Sequence, residues 1–162
     1  MKRLIGLCGL LTAIAALVSG CGIFPEMNPE NPLSFHEEGN FVEQSDMVRT
    51  DEMPGTGLKV TYNTFPLLSE RDLVSAKLED TAAGPSIELQ FDDHGTVQLD
   101  HITTKARDHY LVICIDAKPV AAWYVTKRIT DGKFSLCGDF TEAQAKRYVA
   151  VWTSQIKKNI SR

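Results

Sequence analysis

The sequence predicts an α+β domain, a two-layer sandwich in which helices cover one face of a mixed β-sheet. Apolar and polar side chains alternate along several short segments, as in half-buried strands, and residues 87–91 are the clearest example. Two other segments place apolar side chains at helical spacing on one face only. Because such helices bury a single face, they fit one layer packed against one side of a sheet.

The strand predictions rest on this alternation and on the turns between the apolar runs. Turn sequences at residues 83–85 and 131–132 separate neighbouring runs. The run at residues 110–116 is almost wholly apolar, which is typical of a buried strand. The strands are predicted at residues 58–63, 76–80, 87–91, 110–116, 120–125 and 134–137.

Three helical segments are predicted from their caps and from apolar spacing. Ser69 can cap a short turn over residues 70–74. Asp92 stands where a second helix begins, and a carboxylate there suits the positive end of the helix dipole. Thr141 and Gln144 form a capping box ahead of the last helix. The apolar face of that helix consists of Ala145, Tyr148, Val149, Trp152 and Ile156.

Residues 1–20 have the pattern of a bacterial lipoprotein signal peptide. Lys2 and Arg3 precede an uncharged apolar run over residues 4–18, which is shorter than the roughly 20 residues that a membrane-spanning helix needs. Residues 18–21, Val-Ser-Gly-Cys, resemble a lipobox, in which cleavage leaves a cysteine that is then lipidated. We therefore expect acylated Cys21 to hold the protein on a lipid bilayer. A plain secretory signal is the alternative.

Residues 21–57 are predicted to be the lipidated cysteine and a flexible acidic linker. Four prolines interrupt any helix or central strand, and residues 22–57 carry eight acidic side chains against one basic one. Such a linker would hold a domain at residues 58–162 away from the bilayer, unless Phe35 or Phe41 docks onto that domain. The predicted location is the bacterial cell envelope, and glycine rather than aspartate after the cysteine favours the outer membrane in a cell that has one.

Charge and motif content exclude several classes of function. Residues 58–162 carry thirteen acidic and fourteen basic side chains, which gives no basic surplus for nucleic acid. The His94 and His101 pair is seven residues apart, which does not match common zinc spacings and favours a solvated helix face. Cys114 and Cys137 lack a local activating group, and we expect them to be unpaired thiols. No catalytic, cofactor or metal residue is therefore expected, and the sequence leaves the oligomeric state open.

Several short motifs follow one another without a gap between residues 87 and 145. They are Ile87-Glu88-Leu89-Gln90-Phe91, Gly95, Leu99, Ile102-Thr103, Leu111-Val112-Ile113-Cys114-Ile115-Asp116, Lys118, Ile129-Thr130-Asp131-Gly132, Leu136, Gly138, Phe140-Thr141-Glu142 and Ala145. In this order they resemble the head subdomain in the first periplasmic domain of SecD and SecDF, accessory membrane proteins of the Sec translocon. The resemblance extends over about residues 66–151 and implies the fold of that head.

The chain departs from the usual family residues at four positions. Asp108, Ala117 and Asp139 stand where glycine is usual, and Trp123 stands where proline is usual. Proton-driven translocation in that family depends on membrane helices, and none is predicted after Cys21. The resemblance therefore implies the head module alone, re-anchored by lipid, which holds or senses a polypeptide.

Trp123 and Tyr124 are the candidate partner contacts. Neighbouring side chains on a strand point to opposite faces, so one of these aromatics faces away from the other's layer. Aromatic side chains are favoured at binding hot spots. The predicted function is a tethered envelope module that binds a secreted chain, a Sec component or another envelope protein. The alternatives are an envelope enzyme whose site is assembled from distant residues, and a purely structural or inhibitory lipoprotein.

Overall fold

The computed structural model of the protein describes residues 32–39, 46–82 and 84–160. The predicted signal peptide and Cys21 lie outside these residues. The strands are β1 (Leu33–Glu37), β2 (Val48–Glu52), β3 (Lys59–Asn63), β4 (Leu68–Ser69), β5 (Leu73–Thr81), β6 (Gly84–Phe91), β7 (Tyr110–Ile115), β8 (Lys118–Tyr124) and β9 (Lys133–Cys137). The helices are α1 (Asp93–Lys105) and α2 (Glu142–Ile160), and a 3-10 turn (Glu70–Asp72) joins β4 to β5.

These elements confirm the predicted α+β class, and the sheet arrangement differs from the single mixed sheet of the prediction. The described strands form a four-stranded sheet in the order β4-β1-β7-β8, a three-stranded sheet in the order β5-β6-β9 and the hairpin β2-β3. Every pairing between them is antiparallel. The alternating pattern identifies strands but not their partners, so the division into sheets could not be read from it.

The central strand β7 is buried on both faces, which explains its nearly unbroken apolar sequence. Leu111 and Ile113 on its inner face pack into the main core together with Leu99 of α1 and Trp152 of α2. The outer face packs against the β2-β3 hairpin in a second, smaller cluster. That cluster consists of Met53, Val60, Tyr62, Val112 and Cys114. The helices and the three-stranded sheet thus lie on one side of the four-stranded sheet, and the hairpin lies on the other.

The predicted linker is wrong for residues 33–37 and 48–52, which are strands. β1 lies in the middle of a sheet, between β4 and β7. Phe35 is 0% exposed, and its ring meets the rings of Phe91 and Phe134 edge to face. The docking alternative for Phe35 is therefore the one observed, whereas Phe41 lies outside the described residues. The prolines did not prevent pairing because Pro32 precedes β1 and Pro54 lies in the turn between β2 and β3.

The predicted caps are present at the helix starts. Ser69 caps the 3-10 turn in a capping box with Asp72. Asp92 accepts a hydrogen bond from Gly95 N at 2.7 Å at the start of α1. Gln144 N donates to Thr141 Oγ1 at 3.3 Å at the start of α2. These local predictions succeed because each needs only neighbouring residues.

Two of the positions at which the chain lacks the usual glycine have a left-handed backbone. Asp108 has φ 64° and Ala117 has φ 58°. Asp116 and Ala117 form the two-residue turn between β7 and β8, and Asp116 has φ 53°. Positive φ at both central residues is the type I′ hairpin turn, which favours glycine at its second position.

Within the described ranges, neither helix combines the length and the apolar composition that crossing a bilayer requires.

Candidate functional site

A cavity lies where the four-stranded and three-stranded sheets meet. It has a volume of about 500 Å³ and extends from the end of β8 to the start of β9. The connection between those strands, residues 127–131, forms one end. The lining residues are Glu88, Trp123, Lys127, Arg128, Ile129, Thr130, Asp131, Lys133, Phe134 and Ser135. We call this cavity the β8-β9 cleft.

Both walls of the cleft are edge strands. β8 ends the four-stranded sheet and β9 ends the three-stranded sheet, and no described strand pairs with the outer side of either. The two edges are joined at one end by a hydrogen bond from Asp139 N to Val120 O at 3.1 Å. An unpaired strand edge offers a row of N–H and C=O groups that can pair with another chain.

The structure separates the two candidate aromatics. Trp123 is half-buried, packs against the main core, and meets Phe134 edge to face with ring centroids 5.3 Å apart. Tyr124 is 44% exposed and contacts Tyr110 on the other face of the sheet. Only Trp123 lines the cleft. Trp123 therefore connects the two sheets and also offers part of its ring to whatever occupies the cleft.

The charges around the cleft are unevenly paired. Arg128 donates to Asp100 from Nη2 at 2.7 Å and also contacts it through Nε. These hydrogen bonds from Arg128 lower the pKa of the Asp100 carboxyl. Lys127 and Lys133 form no ion pair among the described residues. The free positive charge in the cleft is thus carried by two ammonium groups.

A second cavity, of about 270 Å³, lies between the β2-β3 hairpin and the four-stranded sheet. Its lining residues are Pro32, Ser34, His36, Arg49, Tyr62, Thr64, Cys114 and Ala117. The sequence prediction missed this site because it placed His36 in a linker without a partner. The site could have been found only by recognising β1, which brings Ser34 and His36 onto one face of the sheet.

His36 makes two hydrogen bonds at the edge of this cavity. One ring nitrogen, Nδ1, lies 2.9 Å from Asn63 O, and the other, Nε2, lies 2.8 Å from Ser34 Oγ. Because a carbonyl can only accept, Nδ1 carries the proton and Ser34 donates to Nε2. Burial lowers the pKa of His36, against a smaller raising effect of the Asn63 hydrogen bond.

Tyr62 and Cys114 form the buried side of the same cavity. Tyr62 donates to Asp51 Oδ2 at 2.6 Å, and Arg49 Nε lies 2.7 Å from the same oxygen. Burial, together with the Asp51 hydrogen bond, raises the pKa of Tyr62. Burial also raises the pKa of the Cys114 thiol. A thiol with a raised pKa holds little thiolate, so Cys114 is poorly suited to act as a nucleophile.

Three of the residues near the start of α1 come together. Ligand atoms of Asp72, Asp92 and His94 lie within 4.8 Å of one another. Asp72 already accepts from Ser69 N at 3.1 Å, and Asp92 already accepts from Gly95 N at 2.7 Å. The positive end of the helix dipole also disfavours a cation there. The group is best explained as two interlocked caps.

The remaining polar candidates are dispersed. His101 lies on an exposed part of α1, and His109 lies 3.5 Å from Glu38 across the sheet. Cys114 and Cys137 are free thiols on different sheets. Cys137 is exposed on β9 and approaches Ser86 Oγ at 3.5 Å. These positions bring no further set of ligands together.

The sequence matches the family model of the SecDF P1 head subdomain over residues 45–153. In structure, the chain is similar to SecDF, a membrane component that enhances protein export, with 19% sequence identity and a TM-score of 0.58 over 76% of this chain and 62% of that chain. A SecDF structure in a super-membrane-facing form gives 19% identity and a TM-score of 0.59 over 77% of this chain and 19% of that chain. The chain thus spans less than two thirds of each of these proteins.

No curated protein matches this chain. The structural similarities, at 19% identity, establish the fold. The family model covers more than half of the sequence. The chain therefore belongs to the family of SecDF P1 head subdomains.

Proposed function

We propose that this protein is a membrane-anchored envelope lipoprotein whose SecDF-head-like module binds a polypeptide. The partner is a secreted chain, a Sec component or another envelope protein. Membership of the P1 head family supports a role in protein export. The similarity to a membrane component that enhances protein export also supports such a role.

One observation carries the binding proposal: the unpaired edge of β9 beside a half-buried tryptophan. Peptides commonly bind to sheet proteins by adding a strand to such an edge, with backbone hydrogen bonds giving affinity and side-chain pockets giving specificity. The β8-β9 cleft offers both, since β9 supplies the edge and Trp123 supplies an apolar wall.

Cys21 supports the anchoring part of the proposal. Only residues 22–31 separate it from the first described residue, Pro32. A fully extended chain spans at most about 3.5 Å per residue, so ten residues reach about 35 Å. The module would therefore work close to the bilayer surface. Metabolic acyl labelling of Cys21→Ala tests this point: the label should be lost, and equal labelling of the wild type and the variant would overturn the lipoprotein assignment.

Site-specific crosslinking in the native envelope tests polypeptide binding. A photoreactive residue in place of Ser135, on the cleft side of β9, should capture a protein partner. The matched control is the same residue in place of Phe65, which is exposed just before β4, at the opposite edge of the four-stranded sheet from β8. Equal capture at both positions, or none at Ser135, would contradict binding at the cleft. Absence of any partner would favour the purely structural or inhibitory alternative.

The second cavity gives the enzyme alternative one specific observation. A hydroxyl that donates to a histidine, whose other nitrogen donates to a carbonyl, is the arrangement of an activated serine nucleophile. Ser34, His36 and Asn63 O have this arrangement. Fluorophosphonate labelling of the wild type, with Ser34→Ala as control, tests it. Labelling that disappears in the variant would favour an acyl-transfer enzyme over the binding module.

A further inference from the structure

We infer that the segment bound in the β8-β9 cleft is a short extended strand in which apolar and polar side chains alternate. The inference rests on the proposed polypeptide binding and specifies the class of sequence that is bound. It predicts that a segment with the alternation of an amphipathic β-strand is preferred to one with the same composition in blocks. Three features of the cleft lead to it, namely its backbone edge, its inner side and its outer side.

The backbone of β9 presents a defined set of free groups. Phe91 N donates to Gly132 O at 2.9 Å, which fixes that pair as a hydrogen-bonded one. In an antiparallel ladder, hydrogen-bonded and non-hydrogen-bonded pairs alternate. Phe134 therefore directs its N–H and C=O towards β6, whereas Ser135 directs both of its groups away from β6, towards the cleft. An added strand would pair with these outward groups.

The inner side of the cleft is apolar. Side chains on an added strand alternate between the two faces of the sheet in step with those of β9. Phe134 and Leu136 point to the inner face and are buried, and Trp123 stands against Phe134 there. Ile129 closes the same side. Every second side chain of the bound strand would meet this surface, so those positions require apolar residues.

The outer side of the cleft is polar and solvated. Lys133 and Ser135 are exposed on this face. The strand partner of Lys133 is the neutral Gln90, whereas the acidic Glu88 lies opposite Lys77 on β5. Lys127 adds a second unpaired ammonium group nearby. The intervening side chains of the bound strand would therefore be polar, and an acidic one beside Lys133 would be favoured by charge complementarity.

The test uses two fluorescent peptides of identical composition and the full-length protein in detergent. One peptide alternates apolar residues with polar residues that include aspartate, and the other groups the same residues into two blocks. Fluorescence anisotropy should give an affinity about tenfold higher for the alternating peptide, because only its apolar side chains all reach the inner side. Equal affinities would overturn the inference and leave polypeptide binding intact. Binding of neither peptide would contradict both.

A variant of β9 separates strand addition from other modes of binding. Ser135→Pro removes an N–H that has no partner within the sheet, and proline is tolerated on an edge strand. The variant should therefore fold, as circular dichroism would verify, and should bind the alternating peptide about tenfold more weakly. Ser135→Ala keeps the N–H but, like proline, removes the hydroxyl that lies 2.8 Å from Ser86 Oγ, and it should bind within about twofold of the wild type. Unchanged binding by a folded Ser135→Pro protein would overturn strand addition.

Discussion

Replacing Phe35 with alanine removes the largest side chain that β1 contributes to the main core. Phe35 is 0% exposed, and its ring meets Phe91 and Phe134 with centroids 5.8 and 5.2 Å away. The backbone carbonyl of Phe35, which the substitution keeps, accepts a hydrogen bond from Leu67 N at 2.8 Å. The substitution therefore tests whether the segment before residue 58 is an integral part of the domain.

The expected loss can be worked from the buried area and the ring contacts. A buried phenylalanine removes about 150–250 Å² from water, and at about 25 cal/mol per Å² this gives about 4–6 kcal/mol as an upper bound. Alanine retains part of that area, so a loss of about 4 kcal/mol in the free energy of unfolding is expected, in line with other Phe→Ala changes in cores. For a domain of this size the melting temperature should fall by about 12–16 °C.

Thermal and urea unfolding followed by circular dichroism measure this loss. The control is Phe65→Ala, because Phe65 is 61% exposed and its removal should change the free energy of unfolding by less than about 0.5 kcal/mol. A small effect of Phe35→Ala, equal to that of the control, would refute the position of β1 in the core.

Three further predictions concern the turn, the second cavity and the cleft. Ala117→Gly should raise the free energy of unfolding by about 1 kcal/mol in urea titrations, since glycine adopts the left-handed backbone at that position without the Cβ clash. Because burial lowers the pKa of His36 in the folded state, the free energy of unfolding should keep its full value above pH about 6.5 and should decrease as the pH drops below it. The decrease should be smaller in His36→Gln. Trp123→Ala should weaken capture of the partner and, because the ring packs on Phe134, should also cost about 2 kcal/mol in urea unfolding.

Each of these predictions has a result that contradicts it. An Ala117→Gly protein no more stable than the wild type would mean that the positive φ carries no strain. Identical pH profiles of unfolding free energy for the wild type and His36→Gln would show that protonation of His36 does not destabilise the folded protein. Normal capture by Trp123→Ala would remove the ring from the binding surface.

The sequence predicted well what is decided by neighbouring residues. The strand around Leu89 and the helix around Trp152 have strong periodicity, and their burial follows from it. The caps at Asp92 and Thr141 each need only a residue three positions away. The family resemblance, rather than a local rule, marked Ala117 as unusual, and the positive φ at that turn residue gives the physical reason.

The sequence could not predict what depends on distant partners. β1 was missed because a five-residue segment after Pro32 gives little periodicity, and Phe35 is buried only once β7 and β4 lie on either side of it. The pairing of β1 also places the ring of His36 within hydrogen-bond distance of Asn63 O. The cleft was missed for a related reason: it exists because two separate sheets end side by side, and a pattern of apolar residues does not specify where a sheet ends.

Hydrogen exchange at the β9 edge tests the central claim most directly. In the free protein the outward amide of Ser135 has no partner in the sheet and should exchange rapidly, whereas that of Phe134 should be protected by β6. Addition of the alternating peptide at saturation should slow exchange at Ser135 and leave Phe134 nearly unchanged. Saturating binding without any protection of the Ser135 amide would contradict an account in which a polypeptide adds as a strand to β9.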